Sequence, residues 1–198
     1  RAHPMLAFFH EGYIRLAMEP YSEENTEDRF AHLASSRVQR EHADYTRKVK
    51  RALMTIDELV AELSRVVGEP TDPVEEWIKP QLKAAMRHVL KSGQMRLVKA
   101  NGQFCILGVN AVIDDDLNVY ITRLSRNPSL HMHQQNVDQI MSAMICEATE
   151  IALQANTRES GGRFCAPSCL EHFEFLLDES THDDGSAAPA MGVVSCSS

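Results

Sequence analysis

The stretch from Phe104 to Leu130 is the part of the sequence best suited to holding reactive side chains at one point. Two β-branched-rich segments of strand length flank an acidic turn at residues 114–116, and this pattern predicts a β-hairpin. Carboxylates at the ends of such a hairpin can converge on a metal ion. The side chains at these ends are instead Asn110, Arg123 and Ser125, which are an amide, a cation and a hydroxyl.

Three other groups of polar residues are candidates for metal or redox chemistry. Consecutive acids such as Asp114–Asp116 point in different directions at a turn, so we interpret them as a solvated turn. His131 and His133 are two residues apart at a predicted helix start and do not share a helix face. Cys165 and Cys169 are one residue further apart than a redox cysteine pair. For these three groups we therefore favour a structural role over metal or redox chemistry.

The composition limits the classes of partner. The 198 residues are 43% hydrophobic and 24% charged, which is typical of one folded domain with a core. Residues 1–100 hold 16 Lys/Arg and 15 Asp/Glu, whereas residues 101–198 hold 4 and 13. The acidic second half disfavours binding to nucleic acid, and we expect no membrane span. The five cysteines have no zinc-ligand spacing, so we expect reduced thiols and a cytoplasmic location. Because the sequence begins with Arg1, we expect a longer natural product.

The elements that must position the hairpin follow from local signals. Met5–Phe9 and Tyr13–Met18, joined through Gly12, predict a first hairpin. A capping box from Thr55 to Glu58 predicts a helix that Gly68 ends. The remaining predictions are a helix that begins at Asp72-Pro73, is kinked or broken at Pro80 and ends at Gly93; a hairpin of Met95–Lys99 and Gln103–Ile113 across Asn101-Gly102; a strand over Val119–Leu124; a helix from Ser129-Leu130 to about Gln154; and a short strand or helical turn at Phe173–Leu177.

Three separated segments resemble one known family. They are Gly12–Tyr21 (GYIRLAMEPY), Phe30–Ser35 (FAHLAS) and Phe104–Leu130, and their order and spacing resemble the tubulin–tyrosine ligase-like enzymes over roughly residues 5–155. The resemblance implies an α+β, ATP-grasp-like fold, with a mostly antiparallel sheet and packed helices as a partial domain. We expect residues 1–178 to be the C-terminal part of the catalytic module and residues 179–198 to be a disordered tail.

The resemblance also assigns roles to individual residues. Members of the family use ATP and magnesium to join tyrosine, glutamate or glycine to tubulin or related proteins. Their metal-binding Asp, Glu and Asn match Asn110, Arg123 and Ser125, so the resemblance implies positions that are not competent to bind magnesium. Two like unit charges about 4 Å apart repel each other by about 4 kcal/mol at an effective dielectric constant of 20. The repulsion between Arg123 and a divalent ion at that distance is about twice as large. Arg15 and His32 match substrate-side positions. The alternatives are an arginine that points to solvent from a half-buried strand and a hydrogen-bonded histidine in the core or at a sheet edge. The nucleotide-binding residues of the family would precede Arg1 and are unknown here.

Our leading hypothesis is a degenerate, inactive ligase-like domain that serves as a scaffold or interaction module and needs no cofactor. An alternative is a fragment of an ATP-dependent tubulin amino-acid ligase, which would require ATP and magnesium. A further alternative is a structural subunit of a large assembly. We expect a protein partner and an association with the cytoskeleton or a cilium. The basic segment 37–51 is either a solvated face or a surface that attracts acidic tubulin tails; its cations are Arg37, Arg40, Arg47, Lys48, Lys50 and Arg51.

Overall fold

The computed structural model describes residues 5–49, 52–67, 72–97, 100, 103–130, 135–156 and 170–179. These residues form an α+β arrangement in which short strands and helices alternate. The strands are β1 Leu6–His10, β2 Ile14–Arg15, β3 Leu53–Met54, β4 Gly108–Ile113, β5 Val119–Ser125 and β6 Phe173–Asp178. The helices are α1 Arg29–His32, α2 Ser36–Gln39, α3 Tyr45–Lys48, α4 Ile56–Val67, α5 Lys79–Gly93 and α6 Gln135–Asn156, with a π-helical turn at Val74–Ile78 and a 3-10 turn at Gln94–Arg96.

The strands of the described residues pair in three separate antiparallel couples: β1 with β6, β2 with β3 and β4 with β5. The prediction that Met5–Phe9 and Tyr13–Met18 form a hairpin is therefore wrong. Gly12 has a φ of +78°, and its N–H donates to His10 Nδ1, so a tight turn forms where one was expected. That turn sends the second segment away from β1, and each segment finds a partner far along the chain instead.

The predicted hairpin of Met95–Lys99 and Gln103–Ile113 is also wrong in the described residues. Gly93 keeps a helical backbone (φ −87°, ψ −13°), so helical structure continues through the 3-10 turn at Gln94–Arg96. Residues 103–107 have no regular structure, and the strand begins at Gly108. The Asn101-Gly102 turn lies outside the described residues.

Both predicted caps are confirmed. The Thr55 N–H donates to Glu58 Oε2 (2.7 Å), and the Glu58 N–H donates to Thr55 Oγ1 (3.2 Å), which is a complete capping box at the start of α4. Asp72 Oδ1 accepts from two free backbone N–H groups, those of Val74 (3.0 Å) and Glu75 (3.1 Å). The described part of α4 ends at Val67, and its predicted stop, Gly68, lies outside the described residues.

Pro80 divides the helical segment that begins after Asp72, as predicted. The wider π-helical turn over Val74–Ile78 precedes it, and α5 begins at Lys79 with the proline at its second position. A proline has no N–H to donate to the preceding turn, and it is tolerated where a helix begins. The prediction that Gly93 ends the α-helix is confirmed.

Helix α6 supplies the largest part of the buried core. Val137, Met141 and Met144 form a cluster against which Tyr13 and Phe173 pack. The predicted start is wrong, because Ser129 and Leu130 are not helical and the described helix begins at Gln135. The histidines at 131 and 133 lie outside the described residues. The helices of the described ranges are too short or too polar to cross a lipid bilayer.

Candidate functional site

The hairpin of β4 and β5 brings the three predicted metal positions onto one face. Gly108 pairs with Ser125, and Asn110 pairs with Arg123, in the antiparallel register. Directly opposed residues share a face, and residues two apart on a strand do so as well, so Asn110, Arg123 and Ser125 lie side by side. The register shifts immediately after Asn110, where Ala111 opposes Ile121. A shift of this kind marks a β-bulge, which bends the hairpin next to these positions.

We call the part of the hairpin that carries Asn110, Arg123 and Ser125 the hairpin frame. A close contact between the start of β4 and the chain after β5 fixes its ends. A Cβ atom placed on Gly108 would lie 2.8 Å from Pro128 Cβ, closer than side chains approach. Ser125 is half-buried, and its Oγ accepts a hydrogen bond from the Asn127 N–H at 3.3 Å. The hydroxyl is therefore already used in turning the chain.

The acidic turn at the other end of the hairpin is a structural turn, which confirms the interpretation of Asp114–Asp116. The Asp114 carboxylate accepts from the Asp116 N–H (3.1 Å), the Asn118 N–H (2.8 Å) and the Tyr120 hydroxyl (3.2 Å). Hydrogen bonds from Asn118 above all, helped by that of Tyr120, lower the pKa of Asp114. Asp114 follows Asn110 by four residues, roughly 13 Å of extended strand. It cannot replace a ligand at the frame.

Arg15 and His32 are held by neighbours in the sequence. Arg15 is half-buried, its Nη2 donates to Tyr13 Oη at 2.7 Å, and its guanidinium lies 5.7 Å from the centre of that ring. His32 Nε2 donates to the Asn25 carbonyl at 2.9 Å, and its ring meets Tyr21 edge to face. These contacts explain where both side chains lie, and their roles in binding a substrate stay predictions.

The basic segment divides into exposed and paired cations. Arg37 and Arg40 are exposed, and the described residues offer neither of them an ion-pair partner. Arg47 pairs with Asp44 at 3.1 Å, whereas the half-buried Lys48 pairs with Glu19 at 2.7 Å. Lys50 and Arg51 lie outside the described residues, as do Cys165 and Cys169.

A buried glutamine supports this segment, and the sequence reasoning missed it. Gln39 is 2% exposed and makes three hydrogen bonds. Its Nε2 donates to the carbonyls of Phe30 (3.0 Å) and Leu33 (2.7 Å), and its Oε1 accepts from the Met18 N–H (2.9 Å). One side chain thus ties together the segments that carry the GYIRLAMEPY and FAHLAS motifs. No local pattern in the sequence distinguishes this glutamine from a surface one.

The sequence reasoning also missed a buried lysine surrounded by carboxylates. Lys79 is 8% exposed, and its Nζ donates to Glu11 Oε1 at 2.6 Å and contacts the carboxylates of Glu75 and Glu174. Lys83 also pairs with Glu174. Oxygens of the three glutamates lie within 4.8 Å of one another, so the ammonium of Lys79 occupies the position a cation would take. Only the i,i+4 pair of Glu75 and Lys79 was readable from the sequence.

The charges in this lysine cluster stabilise one another. Burial favours the neutral form of Lys79, but hydrogen bonds to Glu11, Glu174 and Glu75 outweigh it and raise the pKa of Lys79. Burial likewise favours the neutral form of Glu174, but hydrogen bonds from Lys79 and Lys83 outweigh it and lower the pKa of Glu174. The cluster therefore remains ionised at neutral pH and joins the β1–β2 turn, the π-helical turn, α5 and β6.

A second buried group lies where β1, α6 and β6 meet. Glu147 is buried on α6, and its carboxylate accepts from the backbone N–H groups of Glu171, His172 and Phe173 at 3.0 to 3.2 Å. The His10 ring lies near that of His172, with ring centres 6.2 Å apart and the ring planes tilted by 52°. Burial first and the neighbouring His172 second lower the pKa of His10, against the opposing effect of Glu147.

The side chains on the hairpin frame do not fit magnesium. Magnesium prefers carboxylate oxygens in an octahedral arrangement, and the frame offers an amide, a hydroxyl and a guanidinium. Arg123 is exposed, so solvent screens part of its charge, but it supplies no oxygen. Among the described residues, the three acids close enough to share a cation are Glu11, Glu75 and Glu174, and Lys79 stands between them.

Comparison with known proteins agrees with the three motifs. A model of the Tubulin-tyrosine ligase family matches residues 3–160. Similar relatives are "Protein polyglycylase TTLL10" of Macaca fascicularis (22% identical, 88% of this chain and 28% of the relative), "Inactive polyglycylase TTLL10" of Homo sapiens (21%, 88% and 26%) and "Tubulin glycylase 3B" of Tetrahymena thermophila (22%, 80% and 13%). The chain spans about a quarter of the length of the two TTLL10 relatives. The chain belongs to the tubulin-tyrosine ligase family.

Proposed function

We propose that this chain is a catalytically degenerate ligase-like domain that serves as a scaffold or interaction module and uses no cofactor. The observation that carries the proposal is the chemistry of the hairpin frame. Asn110, Arg123 and Ser125 occupy one face of the hairpin, and none of them is a carboxylate. We also propose that the domain that carries these side chains has an ATP-grasp-like fold.

Substitute ligands nearby do not rescue magnesium binding in this account. The turn acids lie at the far end of β4, and Asp114 is engaged by four donor groups there. The three glutamates around Lys79 are paired with that ammonium, and Glu174 pairs with Lys83 as well. A metal that binds to either group would also have to displace contacts that hold the fold.

An active glycine ligase is the second candidate. Two relatives are named polyglycylase and tubulin glycylase, and Asn110 and Ser125 each carry a side-chain oxygen atom. This candidate needs a nucleotide site and acidic ligands from outside the described residues. The human relative is named an inactive polyglycylase, which supports the loss of activity within this family.

We further propose that the partner is tubulin and that the protein is associated with the cytoskeleton. The relatives' names support tubulin as the partner class. The exposed Arg37 and Arg40 provide a positive surface that would attract an acidic segment, with an attraction that salt weakens. A permanent place in a larger assembly is compatible with the exposed apolar side chains of the β4–β5 hairpin, such as Val112 and Leu124.

Isothermal titration of the full-length natural protein with ATP and magnesium tests the proposal. We expect no heat of binding beyond dilution, with or without magnesium. Tubulin incubated with the protein, ATP and labelled glycine, tyrosine or glutamate should gain no label. Micromolar ATP binding that depends on magnesium, or label transfer to tubulin, would support the active ligase instead.

A further inference from the structure

An open cleft lies between the start of the helical segment that follows Asp72 and the acidic turn of the β4–β5 hairpin. Its volume is about 600 Å³, enough for one or two long side chains. Trp77, Pro80 and Leu117 provide its apolar lining, and the acids Glu76, Asp115 and Asp116 lie around it. The hairpin frame with Asn110 belongs to a different part of the hairpin, so this cleft is separate from the degenerate metal positions.

One side chain fixes the two walls of the cleft against each other. Gln81 Nε2 donates to the Leu117 carbonyl at 2.9 Å and to the Trp77 carbonyl at 3.0 Å. Its Oε1 accepts from the Val119 N–H at 3.2 Å. Leu117 itself has a left-handed backbone (φ 61°). The cleft is therefore held open by hydrogen bonds within the protein, and a ligand would find it preorganised.

The side chains of the cleft are available to a ligand. Trp77 is 41% exposed, which is unusual for the largest apolar side chain in a folded domain. Glu76, Asp115 and Asp116 are exposed, and their carboxylates have no ion-pair partner among the described residues. The cleft therefore places an indole ring beside three unpaired carboxylates. Its lining is negatively charged and contains no basic side chain.

We propose that this cleft binds a lysine or arginine side chain from a basic peptide segment of a partner protein. A guanidinium or ammonium is attracted to the face of an indole and forms charge-assisted hydrogen bonds with carboxylates. The apolar stem of either side chain packs against Trp77, Pro80 and Leu117. Charge complementarity and the geometry of Gln81 favour this ligand whether or not the chain is an inactive ligase.

Other occupants match the cleft less well. An acidic peptide or a nucleic acid would be repelled by the three carboxylates. The acids of the cleft are not among the groups of three whose oxygens converge closely enough to share a metal ion. An apolar peptide would leave these carboxylates beside a dehydrated surface, which is costly.

Fluorescence titration tests the proposal directly, because Trp77 is the single tryptophan of the chain. The probe is a ten-residue peptide of alternating arginine and glycine, and its counterpart has glutamate in place of arginine. We expect a saturable change in the emission of Trp77 with the basic peptide and none with the acidic one. The change should weaken as salt is added.

Two charge-matched variants separate the cleft from the overall charge. Asp115→Asn/Asp116→Asn should weaken binding of the basic peptide about tenfold, as expected for two partly screened ion pairs. Glu23→Gln/Glu24→Gln removes the same charge from exposed positions that do not line the cleft, and it should leave affinity unchanged. Equal weakening in both variants, no saturable change up to millimolar peptide, or preference for the acidic peptide would overturn the proposal. Circular dichroism melts of both variants should overlay that of the parent protein.

Discussion

Gly108, the first residue of β4, lies against Pro128 so closely that no Cβ atom fits between them. This contact brings the segment after β5 back to the start of β4 and closes the frame that carries Asn110, Arg123 and Ser125. The glycine is therefore explained by packing, whether or not the frame binds a metal.

Replacement of Gly108 by alanine should destabilise the protein. A Cβ atom 2.8 Å from Pro128 Cβ forces the rigid ring or the strand to move, and overpacking of this kind costs about 1–3 kcal/mol. Urea denaturation would measure the free energy of unfolding. Gly93→Ala is the matched control, because a Cβ atom there meets nothing within 4 Å and the residue is helical. It should be neutral or stabilise by up to about 1 kcal/mol. Equal effects of the two substitutions would contradict the packing account.

Replacement of Lys79 by methionine should destabilise the fold, because it leaves three carboxylates facing each other without their shared cation. Loss of one partner of a buried ion pair costs about 3–5 kcal/mol. The glutamates are between 34% and 54% exposed, so solvent compensates in part and we expect about 2 kcal/mol. The midpoint of thermal unfolding would measure the loss.

Calcium should restore part of the stability of Lys79→Met. Three carboxylate oxygens within 4.8 Å of one another can ligate a cation of that size once the ammonium is gone. Lys83→Met is the control, since Lys79 remains in place and no cation position opens. If millimolar calcium raised the melting temperature of the control or of the parent protein equally, the account of this lysine cluster would be wrong.

Acidification from pH 7.5 to 5.5 should lower the free energy of unfolding through His10. The pKa of His10 is lowered below 6.5 in the folded protein, so the unfolded chain binds the proton more readily within this window. The contribution of neutral His10 to the free energy of unfolding is complete above pH 6.5 and is lost as the pH falls below that value. The slope is at most about 1.4 kcal/mol per pH unit for one proton. His10→Asn should flatten the profile. His88→Asn, at an exposed position of α5, should leave the pH profile unchanged. If His88→Asn flattened the profile and His10→Asn did not, the assignment of this pH dependence to His10 would be wrong.

Charge reversal at Arg37 and Arg40 should weaken binding to microtubules, if tubulin is the partner. Both side chains are exposed, and two lost attractions together with two new repulsions correspond to about a tenfold rise in apparent Kd at low salt. Co-sedimentation with polymerised tubulin measures the effect. The variant Arg96→Glu/Arg126→Glu changes the total charge equally at other exposed sites. If both variants bind microtubules with equal affinity, Arg37 and Arg40 do not form the tubulin-binding surface.

Features set by neighbouring residues were predictable from the sequence. The Thr55–Glu58 capping box, the cap at Asp72 and the break at Pro80 depend on contacts within one or two helical turns. The shared face of Asn110, Arg123 and Ser125 followed from strand alternation and the position of the turn.

Features set by distant residues were not predictable. The pairing of β1 with β6 joins the two ends of the described chain, so no local turn signal could indicate it. Lys79 gathers Glu11 and Glu174 from opposite directions along the sequence, and the chain alone gives no measure of that proximity. Gln39 is buried because its backbone partners come from two different segments, Met18 after β2 and Phe30 and Leu33 in and directly after α1.

Titration of the full-length protein with Mn²⁺, followed by electron paramagnetic resonance of the free ion, tests the central claim most directly. Manganese prefers the same oxygen ligands as magnesium and reports binding at millimolar and micromolar concentrations. The account predicts that Asn110→Ala/Ser125→Ala binds no less Mn²⁺ than the parent protein, because the hairpin frame holds no ion. Micromolar Mn²⁺ binding that magnesium competes for and that Asn110→Ala/Ser125→Ala abolishes would contradict the loss of the metal site.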